Sequence, residues 1–156
     1  ISIIDKSLIA LSSANIFHFL DFENVYEPAE DSFILLDALE IELNWIEELK
    51  PTFAIEIGPG SGIISSAIAG LSVNSESYRK LCFVFSCDIN ISACKATQRT
   101  AKQNNVSSNI AVICDNLLGG LSYRMKEKVD LGKYSLLLVQ KHKTIIIDFV
   151  FTAKPT

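Results

Sequence analysis

No stretch of this 156-residue chain runs apolar for the roughly 18 to 20 residues that a membrane helix needs. The greasiest part, SLLLVQKHKTIIIDFVF, is cut by Gln140, Lys141, His142, Lys143 and Asp148. The opening, ISIIDKSLIALSS, lacks the basic segment, long apolar core and small-residue cleavage site of a secretory signal. It also lacks an initiator, Met125 being the single methionine, so the expectation is a fragment or a reading frame missing its first exon. Positive charge is short: 14 Lys and Arg against 18 Asp and Glu leave a net −4. No overall field draws such a chain to a phosphate backbone, and a nucleic-acid partner is not expected. The cysteines Cys82, Cys87, Cys94 and Cys114 form no C-x-x-C pair, and His18 and His142 stand alone. The expectation is reduced, mostly buried thiols in a cytoplasmic or nuclear protein, with no metal site. Prolines are few (Pro28, Pro51, Pro59 and Pro155) and no two are adjacent.

What is present has ordinary globular composition, 49% hydrophobic and 21% charged, at a length that suits one domain. No repeat or low-complexity segment interrupts it. Residues 1–24 have weak periodicity and are read as an N-terminal lead. EPAEDSFILLDALEIELNWIEELKP then predicts an amphipathic helix. Pro28 stands near its first turn, Glu30 and Asp31 lie where the helix dipole favours acids, and Pro51 follows its end. Leu35, Leu36, Leu39, Leu43 and Ile46 recur at helical spacing. Beyond Pro51 the pattern alternates. FAIEI, LCFVFSCDI and IAVICD read as strands, SGIISSAIAGL and SACKATQRTAKQNN as the helices between them, and SVNSESYRK as a surface connection. Strand, helix, strand, helix, strand predicts an α/β fold with a parallel, doubly wound sheet.

In such sheets ligands bind beyond the carboxyl ends of the strands, at the turn from the first strand into its helix. Gly58, Gly60 and Gly62 occupy that turn. The dinucleotide fingerprint G-x-G-x-x-G fails, because Ile63 stands at its third glycine. The pattern present is E-x-G-x-G-x-G, with Glu56 at the end of the strand. A carboxylate pointing into the site repels a pyrophosphate and suits a cation, and S-adenosylmethionine carries a sulfonium and an ammonium but no phosphate. Asp88 ends the second strand, where a carboxylate can accept both ribose hydroxyls, and Asp115 ends the third, within reach of an adenine amino group. An acid at a strand end is, alone, more often a turn or cap residue. Acids at three successive strand ends beside a glycine turn predict a nucleoside cofactor, S-adenosylmethionine before NAD.

NVYEPAEDSFILLDALE, IEIGPGSGIIS, CDIN and MKEKVDL together resemble the eukaryotic and archaeal branch of the HemK-like methyltransferases. The resemblance runs from about Phe22 to Leu131. YEPAED is its distinctive part, whereas the glycine turn is shared by most class I methyltransferases. It implies a partial class I methyltransferase fold, Rossmann-like and three-layered α/β/α, with a mostly parallel sheet. The implied reaction is methyl transfer to the side-chain amide of a glutamine in a class 1 translation release factor. By the same resemblance Glu56, Gly58 and Gly60 bind S-adenosylmethionine, Asp88 holds its ribose, and Asp115 and Asn116 line the adenine pocket. Ser32 stands where the family has a threonine near the methionine end. A small zinc-binding activator subunit is the implied partner, covering the edge strand IAVIC by strand addition.

The family places Asn-Pro-Pro-Tyr after the fourth strand, soon after the segment matched by Val129–Leu131. An amide nitrogen is a poor nucleophile, and that motif grips its two N–H groups and aims it at the sulfonium methyl. With no adjacent prolines the motif is absent, and no catalytic residue is assigned. The domain reading is therefore a lead (1–24), the N-terminal half of a methyltransferase domain (25–131) and a divergent tail (132–156). The family sheet order, 3-2-1-4-5-7-6, leaves FAIEI as a bare apolar edge if only three strands are supplied, with YSLLLVQ and TIIIDFVF as substitutes of β-type composition. Competing readings are a non-catalytic decoy that occupies the activator subunit, a nucleic-acid adenine N6-methyltransferase, and a dinucleotide-dependent oxidoreductase fragment. Gly132-Lys133-Tyr134 can be encoded GGT-AAG-TAT, which contains the intron start GTAAGT, so the tail is expected to be translated intron. Transcript sequencing checks this. Spliced messages should diverge after Leu131, and genomic DNA without a donor site there would refute it.

Overall fold

The computed structural model describes residues 24–49, 51, 53–74, 83–116, 135–141 and 144–146. Most of the N-terminal lead, the SESYRK connection, the MKEKVDL segment and the end of the tail lie outside them. Helix α1 spans Glu30–Ile41 and α2 Leu43–Leu49; then come β1 (Phe53–Ile57), α3 (Ile63–Asn74), β2 (Phe83–Asp88), α4 (Ile91–Gln103), a single 3-10 turn (Ser107–Asn109), β3 (Ile110–Cys114), β4 (Ser135–Lys141) and β5 (Thr144–Ile146). One sheet runs β3-β2-β1-β4-β5. The β1–β2, β2–β3 and β1–β4 pairs are parallel and β4–β5 is antiparallel. This is the α/β, mostly parallel, partial Rossmann-like arrangement the sequence predicts.

The long amphipathic helix predicted after Pro28 is two helices. Glu42, at φ −88° and ψ 5°, leaves the helical basin and separates them, its N–H donating to the Ala38 carbonyl. Buried Leu35 and Leu39 lie before the break and Leu43 and Ile46 after it. Both segments keep an apolar stripe buried, and neither glycine nor proline announces the break. At the other end, Ala29 caps α1 without a side-chain bond, and the acids Glu30 and Asp31 fill the first turn. α4 starts on Asn90, whose side chain accepts the Ser92 N–H at 2.9 Å. It closes through Asn104 and then Asn105 at φ 58°, a left-handed residue of the kind that stops helices.

Strand alternation decides what reaches the centre. Ala54 and Glu56 of β1, with Val84 and Ser86 of β2, are fully buried, while Phe53, Ile55 and Ile57 on the other side of β1 are half-buried. α3 and α4 pack on the sheet and on each other, and α1 packs on α3. The shared core joins Leu35, Leu39, Ile46, Ile64, Ile68 and Val84. On α4 the buried residues are small: Ala93, Cys94, Ala96, Thr97, Thr100 and Ala101. That lets the helix axis come unusually near the layer beneath it.

The edge of β1 is covered. β4, from the YSLLLVQ segment, lies along its whole length in register, Phe53 opposite Ser135 and Ile57 opposite Val139. Main-chain bonds of a parallel ladder need no particular side chains, so a strand of β-type composition suffices. A chain ended at Tyr134 should therefore expose β1 and aggregate. Light scattering and thermal melting check this, and melting as cooperative as that of the full chain would show that β4 contributes nothing in solution.

Candidate functional site

β1 must pass into α3 within five residues, Gly58 to Gly62, and all three glycines take positive φ: 74°, 54° and 80°. A side chain is strained in that region, which explains the glycines without any ligand. Their surroundings differ, however. A Cβ on Gly60 would meet nothing within 4 Å, whereas one on Gly62 would lie 2.6 Å from the Cα of Thr97. Gly62 is thus a packing glycine, and Gly60 borders open space. The turn is tied down by main-chain bonds: the Gly58 N–H donates to the Cys87 carbonyl at 2.8 Å and the Gly62 N–H to that of Pro59 at 2.8 Å.

Asp88 meets this turn from β2. Its Oδ2 accepts the Gly60 N–H at a long 3.4 Å, and its Oδ1 accepts the Asn90 N–H at 2.9 Å. Its carbonyl accepts the Asp115 N–H at 3.0 Å, which brings the end of β3 alongside. Asp115 in turn accepts the Asn116 N–H on Oδ1 at 2.6 Å. Asp88 and Asp115 are half-buried and Asn116 is exposed. The entry to α1 is drawn to the same end of the sheet, because the Asn90 side-chain amide donates to the Asn24 carbonyl at 2.8 Å. Ser32 is buried in the first turn of α1, its N–H directed at the Ala29 carbonyl and the Asp31 carboxylate.

Gly58, Gly60, Asp88, Asp115 and Asn116 thus converge at the carboxyl ends of β1, β2 and β3. Glu56 does not join their open wall. The sequence expectation was a carboxylate pointing into the site. Instead the alternation of β1 turns Glu56 to the face covered by α3, where it is 0% exposed. Its Oε2 accepts the Ser65 hydroxyl, which lies 2.5 Å from the Ser86 hydroxyl, while Oε1 has no hydrogen-bond partner among the described residues. The Ser65 backbone N–H also serves the carboxyl. Glu56 therefore caps the first turn of α3 from inside the protein. Burial lifts its pKa from 4.5 to about 7, with the Ser65 bonds opposing the rise and the charge of Asp88 adding to it.

Cys87 and Cys94 are buried, Cys114 is exposed and all three are free. Burial raises the Cys87 thiol and pushes Cys94 up to about 12. No group of three or more His, Cys, Asp or Glu that could hold a metal ion occurs among the described residues, and no helix among them is long and apolar enough to cross a membrane.

The residues that sequence reading passed over are the hydroxyls. Ser65 holds Glu56 and is itself met by Ser86, and Thr97 and Thr100 reach the glycine turn from α4. One signal was available: both threonines share the helical stripe of Ala93, Ala96 and Ala101. A hydroxyl on a buried stripe needs a partner.

Glu56 gives this layer a pH signature. Its pKa is raised on folding, so its stabilising contribution is complete below about pH 4.5 and is lost as pH climbs through about 7. The loss is on the order of 3 kcal/mol. Glu56→Gln should flatten the stability difference between pH 5 and pH 8 measured by denaturant titration. A variant with the same pH slope as the parent would mean that Glu56 is ionised throughout.

No protein-family profile matches the chain. It is similar to methyltransferase HEMK2 of Homo sapiens, 41% identical over 113 residues that make up 70% of this chain and 47% of that protein. The Mus musculus HEMK2 is 40% identical over the same shares. The eRF1 methyltransferase catalytic subunit mtq2 of Schizosaccharomyces pombe is 44% identical over 88 residues, 54% of this chain and 36% of mtq2. The chain spans about half the length of the HEMK2 proteins it matches. With the parallel sheet, the glycine turn and the acids at its strand ends, these similarities are consistent with the HemK-like branch of the methyltransferases.

Proposed function

We propose that residues 25–131 are the cofactor-binding half of a protein-glutamine methyltransferase and bind S-adenosylmethionine at the carboxyl ends of β1, β2 and β3. The observation behind this reading is the meeting of Asp88 with Gly60, a carboxylate oxygen on a long 3.4 Å bond beside a glycine that faces open space. The donor set fits the group. Among the described residues the turn and the ends of β1, β2 and β3 contribute Asp88, Asp115 and Asn116 and no basic side chain, which suits a cationic nucleoside and not a pyrophosphate. Asp88 would take the ribose hydroxyls, Asp115 and Asn116 the adenine edge, and Gly58, Gly60 and Ser32 the methionine end. Glu56 would act from behind, by holding the first turn of α3. Bound S-adenosylmethionine supplies an electrophilic methyl on sulfur.

The substrate is proposed by analogy with the relative named for eRF1: the side-chain amide of a glutamine in a class 1 release factor. The chain has no Asn-Pro-Pro-Tyr to aim that amide, so this form binds cofactor and does not transfer methyl. A second reading, a decoy for the small zinc-binding activator subunit, is favoured by β3, which forms one edge of the described sheet and offers Ile110–Cys114 for strand addition. Residues 132–156 would then be a translated-intron tail that patches the sheet.

Calorimetry with S-adenosylhomocysteine and with NAD tests the cofactor. The first should bind and the second should not, and Asp88→Ala should weaken binding at least about tenfold. Co-expression with the activator subunit should yield a stoichiometric complex that leaves a release factor unmethylated. Preference for NAD overturns the cofactor reading, and methyl transfer by the chain overturns the loss of catalysis.

A further inference from the structure

The glycine turn is not held by β1 and α3 alone. α4 grips it from the side through two hydroxyls one helical turn apart. Thr97 Oγ1 donates to the Gly60 carbonyl at 3.3 Å, and Thr100 Oγ1 donates to the Ser61 carbonyl at 2.6 Å. Both threonines are fully buried; the bond to the Ser61 carbonyl is sealed from water, and that to the Gly60 carbonyl is partly so. Between these bonds sits the contact in which Gly62 leaves no room for a Cβ against the Thr97 backbone. The same helix begins at Asn90, whose N–H holds Asp88 Oδ1. α4 therefore carries at its start the residue that orients the Asp88 carboxylate, and two turns later the pair that anchors the facing carbonyls of the turn.

We infer that Thr97 and Thr100 are positioning residues for the nucleoside site. By engaging the Gly60 and Ser61 carbonyls on the inner side, they fix the peptide planes of the turn and the distance from the Gly60 N–H to Asp88. The inference rests on the proposed cofactor site for its ligand, though not for the loop geometry. The pair acts through the turn and touches no ligand itself. Valine keeps the volume of threonine and removes the hydroxyl, whereas serine restores it.

The test uses the full chain with Thr97→Val, Thr100→Val and the two serine variants. Val84→Ala serves as a control that loosens the same core away from the turn. S-adenosylhomocysteine affinity is read by calorimetry, alongside thermal melting and NMR amide exchange at Gly60 and Gly62. The valine variants should weaken affinity roughly tenfold each and speed exchange at the two glycines. The serine variants should recover most of both, and Val84→Ala should melt earlier with affinity unchanged. Valine variants that bind and exchange like the parent overturn the inference, as does affinity that falls with melting temperature in the control too. If the parent itself does not bind the probe, the cofactor reading fails, and amide exchange alone then decides whether the threonines hold the turn. Should either valine variant not fold, the alanine substitution at that position is read in the same way.

Discussion

The architecture depends on one close approach, Gly62 against the backbone of Thr97. A parallel strand must hand the chain to a helix lying on the same sheet, and the next helix must pack beside it. With a side chain at Gly62 the two helices would stand further apart. The small buried stripe of α4 and the glycine at the start of α3 remove that obstacle together. Once α4 is that near, its threonines are within bonding distance of the turn, and its first residues reach the end of β2. The convergence of Gly60 with Asp88 follows from helix packing before any ligand is considered.

The same packing explains the treatment of Glu56. A carboxyl group sealed between β1, β2 and α3 loses its hydration, and the loss shows as a pKa near 7. In return it satisfies groups that burial would otherwise strand: the Ser65 hydroxyl, the Ser65 N–H at the start of α3 and, through that hydroxyl, Ser86. The negative end of this cluster also lies where the helix dipole is positive. Acidity at the open wall is then left to Asp88 and Asp115. Two half-buried acids and an exposed amide make a milder field than three carboxylates would. Hydrogen bonding by shape, as much as attraction of a cation, would have to select the ligand proposed for it.

Much of this was legible in the sequence because it follows local rules. FAIEI, FVFSCD and IAVIC announced themselves by composition, the glycines by their spacing, and the stop of α4 by Asn104 and Asn105. The strand ends placed Asp88 and Asp115 without further information. What was missed depends on direction or partnership across the chain. A period of two states which face Glu56 takes relative to Ala54, yet not that helices cover that face and seal it. The Thr97 and Thr100 bonds join residues 37 and 39 positions apart, and no local pattern encodes the pairing. The break at Glu42 has no glycine or proline to announce it, and its sequence looks helical throughout.

The sheet separates two requirements that a whole methyltransferase would combine. Every group named for the nucleoside lies between Ser32 and Asn116, on α1, the glycine turn and the ends of β2 and β3. β4 meets them through a parallel main-chain ladder along β1. Ladder bonds are made by backbone amides and carbonyls, so their geometry is largely indifferent to which β-forming sequence supplies them. Aiming a weakly nucleophilic amide is not indifferent: it requires particular donors and acceptors at the end of the fourth strand. A chain whose fourth strand came from another β-forming sequence would therefore keep the layer that shapes the proposed cofactor site. On that physical ground, the proposed cofactor binding and the aiming of a substrate amide are separable requirements of the sheet.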